Sequence, residues 1–336
     1  MAARILVCGD MEWAGEKMKE MFANLAETII LDSLTRDDFL TQMRPGGKYD
    51  SITAIYHQNS CMKKVGPWNR ELIETMPPTV KWIAHKGAGY DMIDVQACKD
   101  RGIGVSNTPG TVDDATATTA LFLMISAFRN FSTAERNLRA GNWKNGLASA
   151  DANGLTGRTL AILGLGGIGY RMAELVQTFP MRIIYHSRHP VAKAPSSWKY
   201  FGPERMDEFL ANADVLSIHV PLNDETRGMV GEEMIRKLKR GAIIVNTARG
   251  KVIDEEAMIR ALEDRHLGAV GLDVFATEPS VDQRLIALPN ATLLPHVGTL
   301  AQDCMLEMEV RALLNIQDYL EKGVGRDIVP ELDGLD

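Results

Sequence analysis

The apolar run Thr159-Leu160-Ala161-Ile162-Leu163 leads directly into Gly164-Leu165-Gly166-Gly167-Ile168-Gly169, and an amphipathic helical stretch follows to Phe179. Few folds accept a strand, a GxGxxG turn and a helix start in immediate succession, and this feature constrains the chain most. Gly164 permits the tight turn, Gly166 lets the backbone approach a pyrophosphate, and Gly169 lets helix and strand pack closely. From Gly167 onward the helix start offers unpaired N–H groups and the positive end of its dipole to phosphates. GxGxxG alone is a weak signal. Here a further strand, Arg182–Tyr185, follows at the spacing a nucleotide-binding half-unit requires, so a dinucleotide site is predicted.

That strand ends in Ile183-Ile184-Tyr185-His186-Ser187-Arg188-His189-Pro190. Ser187 stands where a carboxylate usually holds the adenine ribose of NAD and repels the 2′-phosphate of NADP. A serine removes the repulsion, and Arg188 adds a charge-assisted contact suited to phosphate. The pair predicts NADP as the preferred cofactor, with NAD as the alternative.

Short apolar runs alternate with helical stretches along the rest of the 336 residues. Strands are expected at Ile5–Cys8, Thr28–Leu31, Ile52–Tyr56, Val80–His85 and Ile103–Val105. A second set comprises Thr159–Leu163, Arg182–Tyr185, Val215–His219, Ala242–Asn246, Ala269–Asp273 and Thr292–Leu294. Such alternation predicts an α/β protein with doubly wound parallel sheets covered on both faces. A long helical pattern, Asp113 to Arg139, separates the two sets and reads as a domain connector. A last helix, about Leu300 to Lys322, follows the second set, and periodicity alone does not assign it to either domain.

Composition removes other classes. A net charge of −7 without a basic run argues against nucleic acid as a partner, and no apolar run reaches the length of a membrane span. Cys8, Cys61, Cys98 and Cys304 are scattered, which predicts reduced thiols and a cytoplasmic protein. The histidines show no metal-type spacing, so no metal is expected.

Three ionisable residues follow strands of the second set: Arg249 in NTARG, Glu278 in DVFATEP and His296 in LLPHVG. Carboxyl ends of strands in an open α/β sheet face the ligand crevice, so the three are expected to converge. A histidine exchanges a proton with a hydroxyl or carbonyl, a carboxylate beside it orients it, and an arginine grips a carboxylate by two parallel bonds. Singly, each has a plainer reading as a strand-end ion pair, a turn residue or a core histidine.

GLGGIG, HVPLNDETRGMVG, NTARG, GLDVFATEP and LLPHVG, in this order, resemble the D-isomer-specific 2-hydroxyacid dehydrogenase family, most densely from about Lys81 to Leu306. The resemblance implies two flavodoxin- or Rossmann-like domains with a cleft between them: a discontinuous substrate domain of residues 1–108 plus 299–336, onto which the last helix crosses back, and a dinucleotide domain of 109–298. It further implies a homodimer formed through the connecting helix and the loop around Trp143, and hydride transfer from NAD(P)H to a 2-oxo acid. It implies that Arg249 binds the carboxylate, and that His296, steadied by Glu278, is the acid/base. It also assigns the substrate carboxylate to the backbone of Ala88 and Gly89. Cofactor contacts would fall at Thr116, Gly164, Gly166, Gly167, Ile168, Gly169, Val220, Pro221, Thr226, Thr247, Ala248, Arg249, Asp273, His296 and Gly298. Many relatives carry TAE where this chain has Thr116-Ala117-Thr118. Tyr56, His57, Tyr90 and the Met305–Met308 turn are expected to set substrate choice. Two other readings of the fold remain: a formate dehydrogenase, which would carry glutamine where Glu278 stands, and a dinucleotide-sensing corepressor.

Overall fold

The computed structural model describes residues 3–334. It divides into two compact units, Met1–Val112 with Leu300–Asp336, and Asp113–Thr299.

The first unit carries β1 (Ala3–Cys8), β2 (Ala26–Ile30), β3 (Ala54–His57), β4 (Trp82–His85) and β5 (Gly104–Ser106), in the order β2-β1-β3-β4-β5. All pairings are parallel. Every residue of β3 and β4 is buried, as expected for strands covered on both faces. One cover is a cluster around Phe39, Trp68, Leu72 and Ile83. The other comes from the far end of the chain, where Ala312, Leu313 and Ile316 pack against Ile5, Val7, Tyr56 and Trp82. The last long helix therefore belongs to the first unit. On the same helix, fully buried Glu309 accepts the backbone N–H groups of Glu12, Trp13 and Ala14 at 3.1, 2.9 and 2.8 Å, and its other neighbour is the Lys86 ammonium at 3.5 Å.

The second unit is a seven-stranded parallel sheet: β6 (Thr159–Leu163), β7 (Arg182–His186), β8 (Lys199–Phe201), β9 (Val215–Ile218), β10 (Ala242–Asn246), β11 (Leu267–Leu272) and β12 (Ala291–Leu293). Its order, β12-β11-β10-β9-β6-β7-β8, reverses between β6 and β9, the point at which such sheets bind ligands. The sequence reading lacks β8, a three-residue edge strand too short to show a period.

The expected single helix over 113–139 is corrected. It is two helices, α1 (Asp113–Arg129) and a second over Phe131–Arg139, broken at Asn130, whose φ of 55° is left-handed. Asparagine tolerates that region better than most residues, so the break leaves the apolar periodicity intact. The apolar stripe of α1 (Ala120, Leu123, Met124, Ala127, Phe128) lies in the core of this unit. Gly271 of β11 lets α1 approach so closely that a Cβ there would sit 2.8 Å from the Leu123 Cβ.

Candidate active site

The glycine turn has the geometry its residues dictate. Gly164 has φ 96°, and a side chain there would meet Val220 at 2.9 Å, so the turn lies against the end of β9. A Cβ on Gly169 would sit 2.2 Å from the Gly164 carbonyl oxygen. Gly166 is the N-cap of α2 (Gly167–Val176), caps it with no side chain, and faces open space. A helix start with uncapped amides in front of an open face is a cradle for a pyrophosphate, and the residues present fit a dinucleotide. Two buried hydroxyls of the same unit, Thr116 Oγ1 and Thr247 Oγ1, have no partner among the described residues, which leaves polar atoms for a ligand to satisfy. The Asp113 carboxylate lies beside Gly167, and burial raises its pKa against the opposing charge of Lys193.

At the end of β7, Ser187 donates its hydroxyl to the His189 carbonyl at 2.6 Å, while the Tyr200 hydroxyl donates to the Ser187 carbonyl at 3.2 Å. These bonds shape the loop and leave the Arg188 guanidinium exposed, with no ion pair among the described residues. Across the switch point Thr226 closes the turn after Val220 and Pro221, donating its hydroxyl to the Pro221 carbonyl at 2.6 Å. Ile168 is half-buried in the first turn of α2.

Arg249, Glu278 and His296 follow β10, β11 and β12. Buried Asn246 ties the turn before Arg249, accepting from the Ala248 N–H and donating to the Arg249 carbonyl at 3.0 and 2.9 Å. Gly250 then passes so close to the backbone at Phe275 that a Cβ would overlap it at 1.9 Å, which draws the ends of β10 and β11 together. The His296 Nδ1 lies 2.8 Å from Glu278 Oε2, and the Phe275 N–H donates to Oε1 at 3.0 Å. Partial burial acts to raise the Glu278 carboxyl; the His296 and Phe275 hydrogen bonds and the charges of His296 and Arg249 outweigh it and hold it below its ordinary value. His296 itself has φ 55°, a region histidine enters rarely and functional sites enter more often. Asp273 holds it there, since its buried carboxylate accepts from Val297 N–H and Gly298 N–H, both at 2.8 Å. Sequence reasoning placed Asp273 beside a cofactor; its observed contacts are with the loop that carries His296. Gly298 has no room for a side chain next to that carboxylate, the gap to a Cβ being 2.9 Å.

In the first unit, Ala88 and Gly89 lie on the half-buried loop after β4. Two residues expected to meet a substrate do not reach the surface. Tyr56 and His57 are fully buried: Tyr56 packs with Ala312, Leu313 and Ile316 of the last long helix, and Trp68 sits edge-on against His57 with ring centres 4.4 Å apart. Tyr90 donates its hydroxyl to Glu331 at 2.9 Å. Met305 is half-buried with its sulfur 3.7 Å from the Lys86 ammonium, and Met308 is buried. Among the described residues no cluster of three or more His, Cys, Asp or Glu is arranged to hold a metal ion.

A parallel sheet that switches order at an uncapped glycine turn, with a Glu–His pair beyond neighbouring strands, defines a dinucleotide-dependent oxidoreductase. Residues 121–298 match the family description "D-isomer specific 2-hydroxyacid dehydrogenase, NAD binding domain". The chain is 40% identical over 329 residues to 4-methyl-2-oxopentanoate reductase A of Aspergillus oryzae, covering 97% of both chains. It superposes on the crystal structure of a glyoxylate reductase from Paecilomyes thermophila with a TM-score of 0.92 and 41% identity, over 98% of this chain and 99% of that one. An NADPH-dependent glyoxylate/hydroxypyruvate reductase from Sinorhizobium meliloti, solved with NADP and malonate, gives 0.83 and 28% over 98% of each chain. The chain belongs to the D-isomer-specific 2-hydroxyacid dehydrogenase family. It is an enzyme that reduces 2-oxo acids to 2-hydroxy acids with a nicotinamide dinucleotide.

Proposed function

We propose that this enzyme is an NADPH-preferring reductase that converts a small 2-oxo acid, glyoxylate or a short branched acid such as 4-methyl-2-oxopentanoate, into the D-2-hydroxy acid. The observation that carries the reading is the 2.8 Å contact between Glu278 and His296. The reduced nicotinamide, when bound, supplies the hydride to the carbonyl carbon. His296 gives its proton to the carbonyl oxygen from Nε2, the nitrogen left over once Nδ1 faces Glu278. Arg249 grips the substrate carboxylate and polarises the carbonyl, and the Ala88 and Gly89 amides bind the same carboxylate. The pyrophosphate sits on the Gly164–Gly169 turn, Val220, Pro221 and Thr226 flank the adenosine, and Thr116, Thr247, Ala248, Asp273 and Gly298 line the nicotinamide side. Arg188 and Ser187 receive the 2′-phosphate. The names of two relatives, at 40% and 41% identity, supply the substrate candidates.

The same reading includes a homodimer in the cytoplasm. Exposed Phe122, Phe131, Leu138 and Trp143 supply an apolar surface along the connecting helices and their loop, and all four cysteines are buried free thiols. No helix of the described residues is long and apolar enough to cross a membrane. NADPH and NADH oxidation measured with glyoxylate, hydroxypyruvate, phenylglyoxylate and 4-methyl-2-oxopentanoate tests the reading. Turnover fastest with NADPH is expected, and no turnover with any of the four contradicts it.

A further inference from the structure

β3 and β4 end side by side in histidines. His57 and His85 are register partners, both buried, with their Nδ1 atoms 2.8 Å apart. The other nitrogen of His85, Nε2, lies 3.1 Å from the Gly89 carbonyl oxygen. A carbonyl only accepts, so His85 carries its proton on Nε2. Burial pushes the His57 imidazole well below its ordinary range, and His85 adds to the effect. One proton lies between the two Nδ1 atoms. With His85 neutral and its proton on Nε2, His85 Nδ1 accepts and His57 Nδ1–H donates, the one pair of neutral tautomers that makes both bonds.

Gly89 is one of four consecutive residues whose carbonyls are held by the protein. Gly87 O accepts from Thr108 N–H at 3.0 Å, Ala88 O from the Asn107 amide at 2.7 Å, and Tyr90 O from Ile93 N–H at 3.0 Å. Gly87 lies close against the Nε2 edge of the His85 ring, where a Cβ would be 2.5 Å from Nε2. The N–H groups of Ala88 and Gly89 have no acceptor among the described residues. A loop with its four carbonyls tied and two successive amides without an acceptor is arranged to receive an anion.

We propose that the buried His57–His85 pair is a positioning device for the family reaction: through the Gly89 carbonyl it fixes the orientation in which the Ala88 and Gly89 amides meet the substrate carboxylate. The proposal rests on the assignment of those amides made above. His85 makes the bond, and His57 selects the tautomer that makes it. Without the His57 donor, His85 is free to move its proton to Nδ1 and release Gly89.

The test combines kinetics and NMR on the full chain. His85→Leu is expected to raise KM for glyoxylate about ten-fold, the effect of one lost buried hydrogen bond, and to leave the Kd for NADPH within about two-fold. His85→Gln, which keeps an N–H near the Nε2 position, recovers most of the loss. His57→Leu also raises KM, whereas His57→Asn, which keeps a donor near Nδ1, does so less. Long-range ¹H–¹⁵N spectra of the wild-type imidazoles need no variant to fold, and should show His57 protonated on Nδ1 and His85 on Nε2. A different tautomer pattern overturns the proposal, as does a folded His85→Leu that binds NADPH and keeps the wild-type KM. Wild-type protein that reduces no 2-oxo acid would overturn the proposed function as well. Wild-type turnover with an unchanged KM in His85→Leu overturns the positioning role alone.

Discussion

Glu278 holds His296 by one oxygen at 2.8 Å and is itself held by the Phe275 N–H at 3.0 Å through the other. The imidazole is thus fixed from a rigid strand end, with Nδ1 turned inward. Because its neighbours keep the Glu278 carboxyl below its ordinary value, it is an anion throughout the range in which such an enzyme is assayed. Glu278→Gln removes the anion that faces Nδ1 and turns the imidazole, so kcat should fall by about ten-fold or more while the Kd for NADPH stays within about two-fold. An unchanged kcat in the folded variant would show that the pair is not coupled in catalysis.

Arg249→Lys keeps the charge and loses the planar fork. If Arg249 grips the carboxylate, KM for every active 2-oxo acid should rise, by about ten- to a hundred-fold given ~1.5–3 kcal/mol for a charged hydrogen bond. The value of kcat should fall with it if the grip also orients the carbonyl. An unchanged KM across the panel would remove Arg249 from substrate binding.

Ser187→Asp with Arg188→Ala places a carboxylate at the end of β7 and takes away an exposed guanidinium that has no ion pair among the described residues. NADPH affinity should drop at least ten-fold and NADH affinity improve, because like charge repels the 2′-phosphate while a carboxylate accepts both ribose hydroxyls. Fluorescence titration with the two reduced cofactors reads the outcome. Equal wild-type affinities for NADH and NADPH would reduce Arg188 to a surface charge.

Much of this site is legible in one sequence because its parts are local. A strand, three glycines and a helix start are contiguous, and Arg249, Glu278 and His296 each stand a few residues past an apolar run. What sequence reasoning missed depends on contacts distant in the chain. Glu309 pairs with Lys86 and clamps residues 12–14; its one local signal is a charge sharing a helical stripe with Ala312, Leu313 and Ile316. The His57–His85 contact requires β3 and β4 to be neighbours in register, and periodicity carries no register across separate strands. Tyr56 and His57 follow the rule that strand ends face ligands, but the last long helix covers Tyr56 and Trp68 covers His57. Asn130 breaks a helix whose pattern is uninterrupted, through a backbone angle that leaves no trace in hydropathy.

The central claim is that His296 delivers the proton. It is tested most directly by His296→Ala, with kcat for the best 2-oxo acid and the Kd for NADPH measured on the same preparation. A loss of ~10²–10⁴ in kcat is expected, with the Kd for NADPH within about two-fold of wild type. Turnover within a few-fold of wild type, in a variant that binds NADPH normally, would contradict the account.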